Sequence, residues 1–254
     1  MKKVLVGVAA VLVVVAIAVF YLSHNLGRVL KAGIETFAPR FTQTAVTVES
    51  VDLSPSTGAG TVRGLVIGNP APYREPHAFR LGEASVTVDP ASIMSEKVVV
   101  RSVRVTGPEV TFEGGLTDNN LKALTANLNR FADSEKSKSP EETGSKKKLQ
   151  VDEFVLTGTR VTVRLDIPGV GDVIPPITLP DIRLANLGSG PDGITPAELT
   201  RQVVGAVIKQ VLPAVAAKAT NLPKNLGGAA KDAVEKGAGA IKDAAKGLDK
   251  LFKK

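Results

Sequence analysis

The two histidines are the residues of this 254-residue chain best suited to acid–base chemistry, and neither lies in a recognisable catalytic motif. His24 follows an apolar run and His77 lies in a proline-rich turn, so both are expected at the surface. The chain has no cysteine, which excludes thiolate nucleophiles, disulfides and cysteine zinc sites. It also lacks the G-x-S-x-G, P-loop and H-E-x-x-H motifs. We therefore expect no enzyme, no catalytic residue, no metal site and no cofactor. A further alternative is an enzyme whose carboxylate pair comes together only in the folded chain.

Positive charge is concentrated at the two ends of the chain. The formal net charge is +7; residues 221–254 carry +4 from eight lysines and four acidic residues, and Lys2 and Lys3 carry +2. Residues 24–132 are nearly neutral, with eleven basic and ten acidic side chains. A nucleic-acid-binding domain would carry its basic surface on the folded part, with aromatic residues that stack on bases, so we expect no nucleic-acid partner. Basic ends beside apolar segments favour an anionic membrane surface.

An uncharged run of nineteen residues, from Val4 to Leu22, follows the two N-terminal lysines. As a helix it would span roughly 28 Å, close to the roughly 30 Å hydrocarbon core of a bilayer. The run is longer than the apolar region of a typical signal peptide. We expect residues 1–22 to be a retained single-pass anchor; a cleaved signal peptide, with a site at Ala16-Ile17-Ala18, is the alternative. The lysines favour a cytoplasmic N-terminus in the bacterial inner membrane and a periplasmic body.

The body of the chain changes from helical to strand periodicity near residue 42. Residues 23–41 place apolar side chains three and four residues apart, which predicts a juxtamembrane helix ending at Pro39. From Thr44 onward, apolar residues alternate in short runs separated by Gly, Asn and Pro. Since no helical segment separates the first runs, we expect an α+β, mainly β fold for residues 42–220: a curved antiparallel sheet with covering helices. The polar stretch 133–148 predicts a disordered loop.

A thirteen-residue segment, residues 100–112, recurs without a gap as residues 151–163. In both copies the alternation of apolar residues shifts parity at a Thr-Gly pair, Thr106-Gly107 and Thr157-Gly158. A strand keeps one buried face across such a shift only if it bulges or turns there, and glycine permits this. We interpret the two copies as one β-unit laid beside another.

Three further segments predict helices or an edge strand. Apolar residues between Leu121 and Phe131 predict an amphipathic helix with Thr117 or Asp118 as its N-cap. Residues 177–184 follow several prolines and predict an edge strand. The segment Thr195 to Glu198 has the form of a capping box and begins a helix that ends before Asn221.

The C-terminal residues 221–254, rich in Lys, Ala and Gly, contain an eleven-residue repeat that places the copies on one helical face. We expect an amphipathic helical tail that contacts a membrane or a partner; a solvated helical tail is the alternative. Its membrane-surface candidates are Val234, Ile241, Leu248, Leu251 and Phe252.

Several segments of the body resemble the AsmA-like family of bacterial envelope proteins, which is related to the TamB and chorein-type lipid-transfer proteins. The resemblance is carried by residues 65–70, 78–83, 86–90, 103–110, 179–182 and 193–196. It implies an inner-membrane anchor and an exported curved sheet whose apolar groove carries phospholipid acyl chains. This chain is short for a bridge across the periplasm, so it resembles a lipid-holding module or one segment of an assembly.

The leading hypothesis is therefore an inner-membrane-anchored periplasmic protein, without catalysis, that binds or helps transfer phospholipids and maintains the cell envelope. Its partners would be membrane lipids and other envelope proteins; the sequence leaves the oligomeric state open. The lipid-groove candidates are Val103, Val105, Val110, Phe112, Phe154, Leu156, Val161 and Val163. The alternative is a structural or stress-protective envelope protein without lipid cargo, because residues 67–70 resemble the WHy domain of late-embryogenesis-type proteins.

Overall fold

A computed structural model describes residues 25–136, 147–166 and 174–220, together with residues 236, 237 and 239. The predicted anchor, residues 137–146 of the predicted loop, and the five membrane-surface candidates of the tail lie outside the described residues. The described chain has an α+β fold that is mainly strand, with one curled mixed sheet and helices on one of its faces.

Three α-helices and ten strands make up the described part of the fold. Residues 25–42 form helix α1, and the helical prediction is confirmed, although the helix passes Pro39 and ends at Thr42. The other helices are α2 (Asn120–Lys136) and α3 (Pro196–Thr220). The strands are β1 (Val46–Thr47), β2 (Ser50–Leu53), β3 (Ala59–Ile67), β4 (Phe79–Val88), β5 (Lys97–Thr106), β6 (Glu109–Gly114), β7 (Lys148–Thr157), β8 (Arg160–Leu165), β9 (Ile177–Thr178) and β10 (Ile182–Leu187).

The two repeat copies lie side by side in the sheet, as the sequence predicts. Strands β5 and β6 are the two halves of the first copy, and β7 and β8 are the two halves of the second. One parallel register runs through both pairs, from Lys97 opposite Lys148 to Gly114 opposite Leu165. Every residue of the first copy therefore lies beside its own counterpart in the second.

The prediction of an antiparallel sheet is wrong for these pairs, because the copies run parallel and the sheet is mixed. The physical reason is the connection between β6 and β7. Strand β7 begins at the end of the sheet where β5 began, so the connection that contains α2 is the crossover that parallel strands require. The remaining strand pairs of the described chain are antiparallel.

A line of glycines crosses the sheet where the strands bend. The pairing registers place Gly64 of β3 opposite Gly82 of β4, Gly82 opposite Gly107, and Gly107 beside Gly158. We call these four residues the glycine row. Gly107 and Gly158 have φ values of +61° and +63°, in the left-handed region that L-amino acids avoid. Because adjacent strands bend at the same level, the sheet curls without losing its pairing and keeps its apolar residues on the concave face.

Helices α2 and α3 pack against each other, and their buried side chains form one core with those of β6 and β8. The buried side chains of this region are Val110, Phe112, Leu121, Leu124, Leu128, Val161, Val163, Ile208, Val211 and Val215. The predicted edge strand over residues 177–184 is two strands in the structure: β9 pairs with β8, and β10 pairs with β7.

The helix boundaries correct two predictions and confirm one. The side chain of Asn119, and not Thr117 or Asp118, accepts the Lys122 N–H at 3.0 Å and caps α2. Helix α2 continues to Lys136, so residues 133–136 of the predicted loop are helical, and the last residue of that loop, Lys148, begins β7. Thr195 Oγ1 accepts the Glu198 N–H at 3.1 Å, which confirms the predicted N-terminus of α3.

Within the described part of the chain, α3 is the one helix whose length and apolar composition suit a membrane span. Half of its apolar window is buried inside the fold, a property that it shares with core helices of soluble proteins.

The convex face of the sheet carries charged side chains. Arg63 pairs with Asp52 at 2.8 Å and with Glu83 at 3.0 Å. Arg104 pairs with Glu153 at 2.7 Å across the parallel strands. These pairs are exposed and each adds at most about 1 kcal/mol to stability. They leave this face hydrated, so a ligand with apolar chemistry would have to enter from the concave side.

Candidate functional site

A cavity of about 1440 Å³ lies between the concave face of the sheet and the three helices. Typical small-molecule sites enclose roughly 300–1,000 Å³, so this cavity is large. Protein interiors contain few voids larger than a water molecule. Its wall includes the apolar side chains of Leu30, Ile34, Phe41, Val62, Leu65, Ile67, Phe79, Leu81, Val86, Val103, Val105, Val151, Phe154, Leu156, Leu199, Val203 and Val207.

Strand β4 runs along the floor of the cavity. Its inward-facing residues are Phe79 and Leu81 before the glycine row, and Ala84 and Val86 after it. The seven steps from Phe79 to Val86 span about 24 Å at roughly 3.4 Å per residue. One acyl chain fills about half of a roughly 30 Å hydrocarbon core, or about 15 Å. The cavity is therefore long enough for an extended acyl chain.

Helix α1 forms one side of the roof and leaves an opening. Val29 and Phe37, two large apolar residues of α1, are 63% and 46% exposed and both line the cavity. The cavity therefore opens to solvent beside α1. Phe41 of α1 and Phe131 of α2 both line the cavity, and their ring centroids lie 5.7 Å apart.

Polar contacts attach α1 to the edge of the sheet. The Glu35 carboxylate accepts the Val48 N–H at 2.9 Å, and Lys31 Nζ donates to the Val48 carbonyl oxygen. The Val48 N–H bond lowers the pKa of Glu35 below its usual range, and Lys31 lowers it further. On the α2 side, Asn127 Nδ2 donates to the Thr42 carbonyl oxygen at 2.9 Å. Helix α1 is thus held by polar bonds at its middle and at its C-terminal end, while its apolar stripe faces the cavity.

Polar side chains line one end of the cavity, and Arg40, Thr42 and Arg80 also lie in its wall. Glu96, Lys148 and Thr195 line this end, where α3 begins. Arg201 lies in the same wall, and its guanidinium is 3.5 Å from the Glu198 carboxylate. An amphipathic ligand would place its apolar part along β4 and its charged part at this end.

The structure separates the eight lipid-groove candidates into two groups. Val103, Val105, Phe154 and Leu156 line the cavity. The other four lie in the packed core under α2 and α3, where Phe112 is 0% exposed and Val110, Val161 and Val163 are at most 1% exposed. Among these eight residues the dividing line is the glycine row: the four before Gly107 or Gly158 line the cavity, and the four after them are core.

Sequence reasoning missed much of the wall. Leu65, Ile67, Leu81 and Val86 belong to runs that predict strands, yet their pairing with the repeat was not predictable. A usable signal is that these runs also change parity at a glycine, as the two repeat copies do.

The described residues bring together no catalytic constellation. In this part of the chain, no group of three His, Asp or Glu side chains is placed to hold a metal ion. The most connected carboxylate, Glu113, accepts the backbone N–H groups of Arg74 and Glu75, each at 2.8 Å, and a bond from the Asn69 side chain. The Glu113 carboxylate therefore orders the turn that follows Pro70, and its hydrogen bonds are structural.

No family model matches the chain, and neither a curated protein nor a solved structure matches it. The cavity is thus the feature from which a function can be argued.

Proposed function

We propose that this protein binds phospholipids, or helps to transfer them, by holding acyl chains in the cavity. In this proposal residues 1–22 anchor the chain in the bacterial inner membrane, and the body works in the periplasm without catalysis, as the AsmA-like resemblance implies. The observation that carries the proposal is the apolar cavity of about 1440 Å³, open beside α1.

The physical chemistry of the wall favours an apolar occupant. Water is retained in a cavity when it finds two to four polar partners, and the strand part of this wall offers few. An apolar chain would remove wall surface from water, which stabilises a complex by roughly 25 cal/mol per Å². The polar end at Lys148 and Arg201 would accept the charged part of the same ligand.

The alternative is a structural or stress-protective envelope protein that carries no lipid. The observation that favours it is the packed half of the concave face, where α2 and α3 cover β6 and β8 as in an ordinary core. If the protein is structural, the cavity should contain no lipid after purification and should take up none when phospholipid is added.

A pair of tryptophan variants on adjacent residues of β4 tests the proposal. Val86→Trp places a bulky ring in the cavity, opposite Gly60 and Val103. Ser85→Trp places the same ring on the exposed convex face. The natural chain has no tryptophan, so each variant also carries a single fluorescent reporter.

The measurement is native mass spectrometry of the full-length chain, purified from the cell envelope without added lipid. We expect phospholipid on the wild-type chain and on Ser85→Trp, and a large loss on Val86→Trp. The Val86→Trp chain should emit at shorter wavelength than the Ser85→Trp chain, because only the first ring lies in the apolar cavity. A folded wild-type chain that neither carries nor takes up phospholipid would exclude lipid binding and leave the structural alternative.

A further inference from the structure

The turn between β4 and β5 presents an apolar tip at one end of the sheet. Residues 90–95, Pro-Ala-Ser-Ile-Met-Ser, contain no charged side chain. Met94 is 90% exposed, which makes it the most exposed large apolar residue of the described chain. Ser92 holds the turn from inside, since its hydroxyl accepts the Val99 N–H at 2.9 Å and donates to the Asp89 carbonyl oxygen at 2.7 Å. Met94 is therefore displayed by an ordered turn.

Lysines surround this tip. Lys147 Nζ donates to the carbonyl oxygens of Ile93 and Ser95, at 3.2 and 2.6 Å, so its charge lies beside Met94. Lys97 and Lys148 are paired across the first residues of β5 and β7. Glu96 is the acidic residue next to these three lysines, so the local net charge is +2. Asp89, at the base of the turn, is already paired with Arg101 at 2.7 Å.

The same end of the sheet is where α1 begins. Gly27 packs against the Val51 carbonyl so closely that a methyl group there would clash, which places the start of α1 beside β2. The turn between β2 and β3 contacts the end of β4, because the Val88 N–H donates to the Gly58 carbonyl oxygen at 2.8 Å. Three residue steps separate Leu22, the end of the uncharged run, from Asn25, and they reach at most about 11 Å. If the uncharged run is the anchor, this end of the sheet lies next to the bilayer surface.

We propose that the 90–95 turn docks on an anionic lipid surface, with Met94 entering the interface and Lys147 and Lys148 beside lipid phosphates. The proposal rests on the anchor and the lipid cargo of the proposed function. Docking in this orientation directs the polar end of the cavity, at Lys148 and Thr195, and the opening at Val29 toward the bilayer. A phospholipid could then pass between bilayer and cavity with a short path through water.

Site-specific fluorescence on the full-length chain tests this proposal. The chain has no cysteine, so Met94→Cys and the matched control Thr117→Cys each accept one environment-sensitive NBD label. Thr117 is exposed in the turn between β6 and α2, at the opposite end of the sheet. Both labelled chains are reconstituted into phosphatidylcholine vesicles with and without phosphatidylglycerol, and circular dichroism verifies that both retain the fold.

We expect the label at residue 94 to emit at shorter wavelength and to be quenched by lipids that carry a shallow nitroxide, and the label at residue 117 to show neither effect. Lys147→Gln and Lys148→Gln should each lower the docked-to-undocked ratio by roughly fivefold in anionic vesicles. Equal, water-like emission and no quenching at both positions would overturn the docking face, and so would a chain that fails to float with the vesicles.

The outcome is separable from the test of the cavity. Phospholipid on the purified chain together with a water-exposed label at residue 94 would overturn the docking face and leave the cavity function in place. A lipid-free chain whose label at residue 94 enters the bilayer would support the docking face as a membrane contact and overturn the cargo.

Discussion

Alanine substitutions in the glycine row should have different effects on stability at Gly107 and Gly158, whose φ values are left-handed, and at Gly82, whose φ value is not. Gly107 has φ +61°, and a methyl group built on it meets no atom within 4 Å. The cost of Gly107→Ala is therefore conformational, about 1–2 kcal/mol for a left-handed L-residue. Gly158, at φ +63°, finds its nearest neighbour at 3.8 Å, so Gly158→Ala should cost the same.

The matched control is Gly82, the register partner of Gly107 on β4. It also has open space within 4 Å, and its φ lies outside the left-handed region. Gly82→Ala should stabilise the protein by about 0.5–1 kcal/mol, because alanine loses less backbone entropy on folding than glycine. The expected difference between Gly107→Ala and Gly82→Ala is thus about 1.5–3 kcal/mol.

Thermal unfolding of the full-length chain in detergent, followed by circular dichroism, measures this difference. For a domain of roughly 150–250 residues, 1 kcal/mol corresponds to about 2–4 °C, so the two Tm values should differ by about 3–12 °C. Equal Tm values for Gly107→Ala and Gly82→Ala would refute the reasoning, because they would show that the bend does not depend on the left-handed residue.

Two further predictions concern polar groups that position α1 and the turn after Pro70. Asn120 is 0% exposed; its side chain donates to the Thr111 carbonyl oxygen at 2.7 Å and accepts the Glu113 N–H at 2.9 Å. Asn120→Ala should therefore lower the free energy of unfolding, measured in urea, by about 1–3 kcal/mol for each buried group left unpaired. A smaller loss would mean that water replaces the amide. The pKa of Glu35 is lowered in the folded state, so its contribution to stability is present at neutral pH and is lost as the pH falls through the carboxyl range. The Tm difference between wild type and Glu35→Gln should accordingly shrink on acidification, and a difference that is constant with pH would contradict the bond to Val48.

The bent repeat was predictable from sequence, whereas its orientation was not. The parity shift at Thr-Gly forces a change in backbone direction wherever the strand lies, so residues 100–112 and 151–163 reveal the bend by themselves. Whether the copies run parallel or antiparallel depends on the return path through α2, which the repeat does not encode. The cap of α2 was missed for a similar reason. Thr117, Asp118 and Asn119 are all suitable N-caps, and the end of β6 decides among them.

The cavity wall was predictable only in part because periodicity identifies the apolar face of a strand and says nothing of what covers it. Val105 and Val110 have the same sequence signature, yet one lines the cavity and the other is core. The C-terminal half of α3, from Ile208 onward, does not line the cavity and shares one buried core with side chains of α2, β6 and β8. The space over β5 and β7 receives the less closely packed start of α3, at Leu199 and Val203.

The glycine row explains how one part of the sheet can belong to a packed core while another part lines a cavity. An unfilled apolar wall loses dispersion contacts, so a sheet that was open along its whole length would be difficult to keep in one shape. Here the same bent strands continue from the open half, at Val103 and Phe154, into the packed half, at Phe112 and Val163. Burial in the packed half stabilises the strands, and the parallel register carries that order across Gly107 and Gly158 into the cavity wall. Substitutions of Phe112 or Val163, after the row, should therefore lower stability, while substitutions of Val103 or Phe154, before it, should change what the cavity can hold.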